Sequence, residues 1–222
     1  MFWKGVLFDL DGTLLDTLAD LSDAMNRVLG QMGVPTHSTE EYRSLVGNGA
    51  LMLVRRALPQ DPRDDALVHS CLDAFLQEYG RNSIVRTRPY EGIPEMLDAL
   101  TERGFLLAIL SNKPHEITKR CVSELLSQWT FDAVIGQRED VPLKPDPTAA
   151  LRISKQLQVA PAEFVYLGDS GVDMETARAA GMFPVGVLWG FRSQAELLKA
   201  GARVLIREPA ELLDILEQWR RM

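Results

Sequence analysis

The sequence predicts an α/β protein: a doubly wound parallel sheet with a small all-helical block inserted after its first strand. Three observations predict it. From Pro89 onward, short apolar runs alternate with helical patterns, as in a parallel sheet covered on both faces. One further run of that kind, Val6-Leu7-Phe8, opens the chain and stops at Asp9. Between Leu14 and about Arg86 the periodicity is helical, with no strand signal.

Val6-Leu7-Phe8 is apolar throughout, which suits a strand buried on both faces. Leu18, Leu21, Met25, Val28 and Leu29 then fall on one helical face, followed by Leu51, Val54 and Leu58, and by Leu67, Cys71 and Phe75. Loops are expected at Gly33-Val34-Pro35, Gly47-Asn48-Gly49 and residues 59–62. After Pro89 the reading is helix 93–103, stopped by Gly104, and strand 105–110. Helix 114–126, strand 131–135 and helix 147–157 come next. Strand 164–167, helix 172–180 (ended by Gly181), strand 184–187, strand 203–206 and helix 210–220 complete the chain. The expected division is a core of residues 1–15 and 87–222, with residues 16–86 as a helical cap.

Bulk properties exclude several classes of function. A hydrophobic fraction of 46% and a charged fraction of 25% are those of an ordinary globular chain. The formal charge of −7 argues against nucleic acid or an anionic membrane as partner, since either needs a basic face. It leaves a phosphorylated small molecule open, because a local field can be positive on an acidic protein. No stretch reaches the roughly 18 to 20 apolar residues of a membrane span, and residues 1–8 are too short and too interrupted for a signal peptide. Cys71 and Cys121 are too few for a disulfide scaffold and read as small buried residues. A cytoplasmic protein, monomeric or homodimeric, is expected.

Ligands of an open parallel sheet bind beyond the carboxyl ends of its strands. Four strands here lead into polar sets: Asp9-Leu10-Asp11-Gly12-Thr13, Ser111-Asn112-Lys113, Lys144-Pro145 and Gly168-Asp169-Ser170-Gly171-Val172-Asp173. Each alone has a structural explanation as turn or helix cap. Four in this order, each at a strand end, point to one site.

The set resembles the four motifs of the haloacid dehalogenase superfamily, and the resemblance includes the position of the helical insert. It implies that Asp9 attacks phosphorus and that Asp11 acts as general acid and base. It also implies a metal ion held by Asp9, by the backbone carbonyl of Asp11 and by an aspartate of the fourth set. The chemistry is consistent with that reading. A carboxylate nucleophile splits hydrolysis into two easier steps through an aspartyl phosphate, and Asp11 can serve the leaving oxygen. Crowded carboxylates raise the pKa of one of them, which would keep Asp11 protonated. Oxygen ligands in a partly hydrated site favour Mg²⁺, with Asp169 as direct ligand and Asp173 acting through water or by orienting a ligand. Ser111 and the Asn112 amide would donate to the phosphoryl oxygens, and Lys144 would supply fixed positive charge to the phosphate and Asp9. Thr13 either orients Asp11 or caps the following turn. A dehalogenase has no alkoxide to protonate and lacks the second aspartate, so Asp11 favours phosphoryl transfer.

Substrate choice is expected in the cap. Gly47, Asn48 and Gly49 directly precede a helix carrying Arg55 and Arg56, and a helix start can bind an anion such as a carboxylate. Val46 to Ala50 with Arg55-Arg56-Ala57-Leu58, and Ser111-Asn112-Lys113-Pro114, resemble the bacterial phosphoglycolate phosphatases. That likeness implies 2-phosphoglycolate as substrate, with Gly47, Asn48, Gly49 and Arg55 at its carboxylate. Relatives acting on pyrophosphate or sugar phosphates share much of it, and a β-phosphoglucomutase-like mutase is a further alternative. His37, His69 and His115 follow no metal-ligand spacing. Trp189-Gly190-Phe191 is equally consistent with a place near the site and with packing.

Overall fold

The computed structural model describes residues 3–59 and 65–220. Its first strand, β1 (Gly5–Phe8), is buried along its whole length. After it come β2 (Leu15–Asp16), then the helices α1 (Leu18–Gln31), α2 (Thr39–Leu45), α3 (Ala50–Ala57) and α4 (Asp65–Asn82), and then β3 (Arg88–Pro89). From there strands and helices alternate: α5 (Ile93–Glu102), β4 (Leu106–Pro114), α6 (His115–Leu125), β5 (Ala133–Gln137), α7 (Thr148–Gln156) and β6 (Phe164–Gly168). The last elements are α8 (Gly171–Ala179), β7 (Phe183–Val187), α9 (Gln194–Ala200), β8 (Val204–Ile206) and α10 (Glu211–Arg220).

The predicted α/β class is observed. Among the described residues the main sheet has six parallel strands in the order β5-β4-β1-β6-β7-β8. Period-two alternation sends Val6 and Phe8 to one face and Leu7 to the other. The first pair packs with Leu97 and Leu100 of α5 and Leu212 and Leu216 of α10. Leu7 packs with Ala150 and Ile153 of α7 and Ala177 of α8. A strand covered on both sides has no polar face to show, which is why it reads as an unbroken apolar run.

The helices α1 to α4 enclose an apolar cluster of their own, with Leu21, Met25 and Leu29 against Tyr42, Val54, Cys71 and Phe75. The periodic positions of the sequence are these residues. Two chain crossings join the helical block to the sheet. They pair with each other as β2 and β3, with Leu15 opposite Pro89 and Asp16 opposite Arg88. Buried Asp20 of α1 fastens the second crossing, accepting from Arg86 N, Thr87 N and Thr87 Oγ1 at 2.7 to 3.0 Å.

Several boundaries differ from expectation. β2 and β3 are two residues each, too short to carry a periodic signal. β4 extends to Pro114 and takes in Ser111-Asn112-Lys113, with a register shift against β5 after Leu110. α9 was not expected, although its signals are ordinary: Ser193 Oγ caps Glu196 N at 3.3 Å, and Gly201 ends the helix at φ 103°. Of the loop expected at 59–62, residues 60–62 lie outside those described. No helix among the described residues is long and apolar enough to cross a membrane.

Candidate active site

The sheet register brings the four polar sets together. Phe8 of β1 is level with Leu167 of β6 and Ile109 of β4, so Asp9 emerges between Asp169 and Ser111. Asp9 N donates to Leu167 O at 2.9 Å, which fixes the point of departure. The chain order runs outward from β1 in both directions, to β4 on one side and β6 on the other. This is the switch point at which open sheets bind ligands.

Lys144 is the hub. Its Nζ lies 2.7 Å from Asp173 Oδ1, 2.8 Å from Asp9 Oδ1 and 3.1 Å from Leu110 O. The Asn112 side chain holds it there, with Oδ1 accepting from Lys144 N at 2.8 Å and Nδ2 donating to Lys144 O at 3.1 Å. The Asn112 side-chain amide therefore fastens the lysine, while the residue itself lines the cleft. Asp173 is fully engaged: Ser170 N and Oγ donate to its Oδ2 at 3.1 and 2.6 Å, and Tyr166 OH lies 3.3 Å from Oδ1. Burial works against the Lys144 ammonium, but Asp173 and Asp9 outweigh it and raise its pKa.

Asp9, Asp169 and Asp173 each offer a carboxylate oxygen, all within 4.8 Å of one another. Asp9 Oδ1 is buried against the Lys144 ammonium, 2.8 Å away. Burial first, then the charge of Asp173, pushes the Asp9 carboxyl up to about 7. Asp169 is raised for the same two reasons. Its Oδ2 accepts from Phe191 N at 2.7 Å. Gly12, at φ 84°, passes so close that a Cβ would lie 2.4 Å from Asp169 Oδ2. Three buried carboxylates with mutually close oxygens, against one ammonium, form an oxygen-rich donor set that fits a hard divalent cation. Asp173 already has its own hydrogen bonds, which leaves Asp9 and Asp169 to hold such an ion.

Asp11 stands outside this cluster. Lys113 Nζ donates to its Oδ1 at 2.8 Å and also to the hydroxyl of Tyr79 in α4. Crowding raises the pKa of Asp9 and of Asp169. Lys113 was given no role from the sequence. Its signal is a lysine directly after an apolar run and two polar residues, where burial of the ammonium requires an anion. Burial disfavours its charge, but Asp11 outweighs that and raises its pKa. Ser111 Oγ accepts from Lys113 N at 3.2 Å. Thr13 is wholly buried and its Oγ1 has no hydrogen bond, so it neither orients Asp11 nor caps a turn.

These groups line a cleft between sheet and helical block. Asp9, Asp11, Ser111, Asn112, Lys144 and Asp169 form one wall, and Leu21, Leu53, Phe75, Gly47 and Gly49 face them. Asn48 turns away, and its Oδ1 accepts from Arg56 Nη2 at 2.6 Å. Arg55 is corrected as a site residue: it is half exposed, lies outside the cleft lining and pairs with Asp65 at 3.4 Å. It is Arg56 that braces the loop, donating to Leu45 O at 2.9 Å as well. Phe191 and Arg192, from the loop after β7, also line the cleft. The histidines pair with backbone groups, His37 with Ala57 O, His69 with Asp65 O and His115 with Gly136 N.

A family model described as haloacid dehalogenase-like hydrolase matches residues 6–187. A phosphoglycolate phosphatase of Pseudomonas putida is 38% identical over 194 residues, covering 84% of this chain and 70% of that one. The N-acetylmuramic acid 6-phosphate phosphatase of Pseudomonas aeruginosa is 31% identical, over 97% and 95% of the two chains. A crystal structure from Lactobacillus delbrueckii subsp. bulgaricus, provisionally assigned as a phosphoglycolate phosphatase, superposes with a TM-score of 0.91. It is 31% identical, and the match covers 97% of this chain and 99% of that one.

Proposed function

This chain belongs to the haloacid dehalogenase-like hydrolases and is a phosphoric monoester hydrolase, and from that premise we propose that it hydrolyses 2-phosphoglycolate in a Mg²⁺-dependent reaction through an aspartyl phosphate on Asp9. The observation that carries the mechanism is the Asp9 carboxylate: at the end of β1, paired through Oδ1 with Lys144 at 2.8 Å, and lining the cleft beside Asp169. Asp9 attacks phosphorus, the ester P–O bond breaks, and the departing alkoxide takes a proton from Asp11. Asp11 then removes a proton from water. The oxygen of that water attacks phosphorus, the bond to Asp9 breaks, and inorganic phosphate leaves. To give or take these protons the Asp11 carboxyl turns from Lys113 toward the reacting oxygen, a rotation of one side chain.

Asp9, Asp169 and the Asp11 carbonyl would hold the cation, which would offset the negative charge of carboxylates and phosphate when bound. Asp173 stays behind it, keeping Lys144 in place. Lys144 and Ser111 serve the phosphoryl oxygens. Residues 16–86 act as a cap over the core, and Gly47 and Gly49 receive the substrate carboxylate. A second reading, a sugar phosphate, is favoured by the apolar cap wall of Leu21, Leu53 and Phe75 and by the N-acetylmuramic acid 6-phosphate relative.

The test is a screen of phosphate esters with Mg²⁺, comprising phosphoglycolate, pyrophosphate, hexose phosphates and N-acetylmuramic acid 6-phosphate. Phosphoglycolate should give the highest kcat/KM. A higher value for a sugar phosphate would replace the substrate, and a requirement for a bisphosphate would replace hydrolysis by mutase chemistry.

A further inference from the structure

Two arginines, one on the helical block and one on the loop after β7, each reach across to a backbone carbonyl of the opposing segment. Arg43, in α2 of the helical block, donates through Nη1 to Gly190 O at 3.0 Å. Arg192, two residues beyond Gly190, donates through Nη1 to Arg43 O. Through Nη2 it donates to Val46 O at 2.6 Å and Ser44 O at 3.4 Å. The accepting carbonyls belong to the last turn of α2 and the residue after it. There a helix has no further donors of its own, and its dipole is negative. The Arg192 side chain is largely buried, with Glu196 at 3.5 Å on its other side.

The loop that carries Arg192 is seated on the acid cluster. Phe191 N donates to Asp169 Oδ2, and Trp189 Nε1 donates to Thr13 O at 2.9 Å. Gly190 leaves no room for a side chain, since a Cβ there would lie 2.2 Å from Asp169 Cβ. At the other end, Arg192 Nη2 sits 3.4 Å from where a Cβ on Gly47 would stand. A continuous set of contacts therefore runs from Asp169 through residues 189–192 to the Gly47–Gly49 loop.

We infer that Arg43 and Arg192 form a reciprocal clasp that sets the distance between the Gly47–Gly49 loop and Asp169, and with it the size of phosphate ester the cleft accepts. The inference rests on the phosphatase reading, and both arginines are positioning residues. A single tether would let the helical block swivel, whereas two tethers running in opposite directions fix the gap. Arg192 depends on the guanidinium fork, because a lysine ammonium cannot span carbonyls on three residues at once.

The experiment uses the full chain with R192K, R192A, R43A and the double variant R43A/R192A, assayed with Mg²⁺ on phosphoglycolate and on p-nitrophenyl phosphate. Phosphoglycolate should lose roughly ten- to hundredfold in kcat/KM, mostly through KM, as charge-assisted hydrogen bonds are lost. The bulkier aryl ester should hold its kcat/KM or gain. R192K should fall between R192A and wild type. The double variant should be little worse than the worse single one, because either loss opens the same clasp. Equal losses on both esters, or additive losses in the double variant, overturn the size-setting role. R192K and R43A carry the test if R192A does not fold.

A second measurement needs no substrate. Spin labels at Gln31→Cys and Lys155→Cys, both exposed, report the separation of the helical block from the sheet. The distance distribution should be narrow in the otherwise unaltered chain and broaden toward longer values in R192A and R43A. An unchanged distribution in both overturns the clasp. If the labels broaden while the unaltered chain does not turn over phosphoglycolate, the clasp stands and the substrate assignment fails.

Discussion

The two walls of the cleft are built in opposite ways. On the sheet wall the charged groups are pinned: Lys144 by Asp9, Asp173 and the Asn112 side chain, Asp173 by Ser170, and Asp169 by Phe191 N. On the helical wall Leu21, Leu53 and Phe75 present apolar surface, and two glycines at φ 118° and 83° leave space. Charge that must act on a reacting phosphate needs preorganisation, because its value depends on not having to move. Choice among substrates needs shape, which apolar packing and bare backbone provide. Under the proposed function, reaction type rests with the sheet and substrate selection with the helices. Substitutions on each wall can break that assignment.

The largest effect should come from Asp9→Asn. The amide keeps the shape of the carboxylate but cannot attack phosphorus. The kcat should fall at least about a thousandfold, some 4 kcal/mol of barrier, on every ester tested. Thermal denaturation should show the fold intact. A variant within about tenfold of wild type, roughly 1.4 kcal/mol, would remove Asp9 from the mechanism.

Chelation probes the same wall without mutation. EDTA should silence turnover and Mg²⁺ should restore it. The stability of the chelated protein should carry a matching signature. With its carboxyl raised from an ordinary 3.8 to about 7, Asp9 binds a proton in the folded chain over a pH range where the unfolded chain has lost it. The folded state then binds more protons, so its stability falls as pH rises from about 4 to about 7. Asn at position 9 does not titrate. In EDTA the Tm of Asp9→Asn should overtake that of wild type as pH rises through this window, and Mg²⁺ should close the gap. A gap that opened toward low pH instead would contradict the crowded-carboxylate picture.

How much of this was legible in the sequence follows the same division. Asp9, Ser111 and Asp169 could be read because each follows an apolar run, and Lys144 because it lies in the loop after another; a parallel sheet brings these strand ends together. Asp173 could be read for the same reason, as a capping residue three positions into α8. The partners of these groups were harder to see. The Asn112 side chain bonds Lys144, thirty-two residues away, a contact no local pattern encodes. Lys113 needed Tyr79 of α4, and Arg192 needed the carbonyls of α2. These are contacts between the sheet and an insert whose placement no local periodicity encodes. The pairing of β2 with β3 is of the same kind, two residues on each side with nothing to repeat.

Gly49 lies where the walls touch. A Cβ there would stand 3.4 Å from Gln137 Oε1 and Leu143 Cδ1 and 3.6 Å from Asn112 O, at a φ that side chains avoid. Gly49→Val should therefore lift the loop off the sheet. A fall of roughly ten- to hundredfold in kcat/KM is expected for phosphoglycolate, and a smaller one for p-nitrophenyl phosphate. Equal falls would mean that the loop governs closure and not recognition, and would move part of the selection to the sheet wall.

The smallest effect separates two neighbouring arginines. Arg55 and Arg56 are adjacent in sequence, but about 100° of helix rotation sends them to different surroundings. Arg55 makes one exposed ion pair with Asp65, a contact of a kind worth about 0 to 1 kcal/mol. Arg56 donates to Leu45 O and to Asn48 Oδ1, holding the loop that faces the acid cluster, and burial together with the charge of Arg192 lowers its pKa. Arg55→Ala should leave kcat/KM within about twofold, under 0.5 kcal/mol, with Tm nearly unchanged. Arg56→Ala should raise KM for phosphoglycolate several-fold while kcat changes little, because the brace acts on the loop and not on phosphorus. Steady-state kinetics of the two variants side by side decide the point. A selective loss in Arg55→Ala would place that guanidinium at the substrate after all. Equal indifference in both would mean that the Gly47–Gly49 loop holds its shape without a brace, leaving its position to the contacts that Arg192 makes from the sheet side.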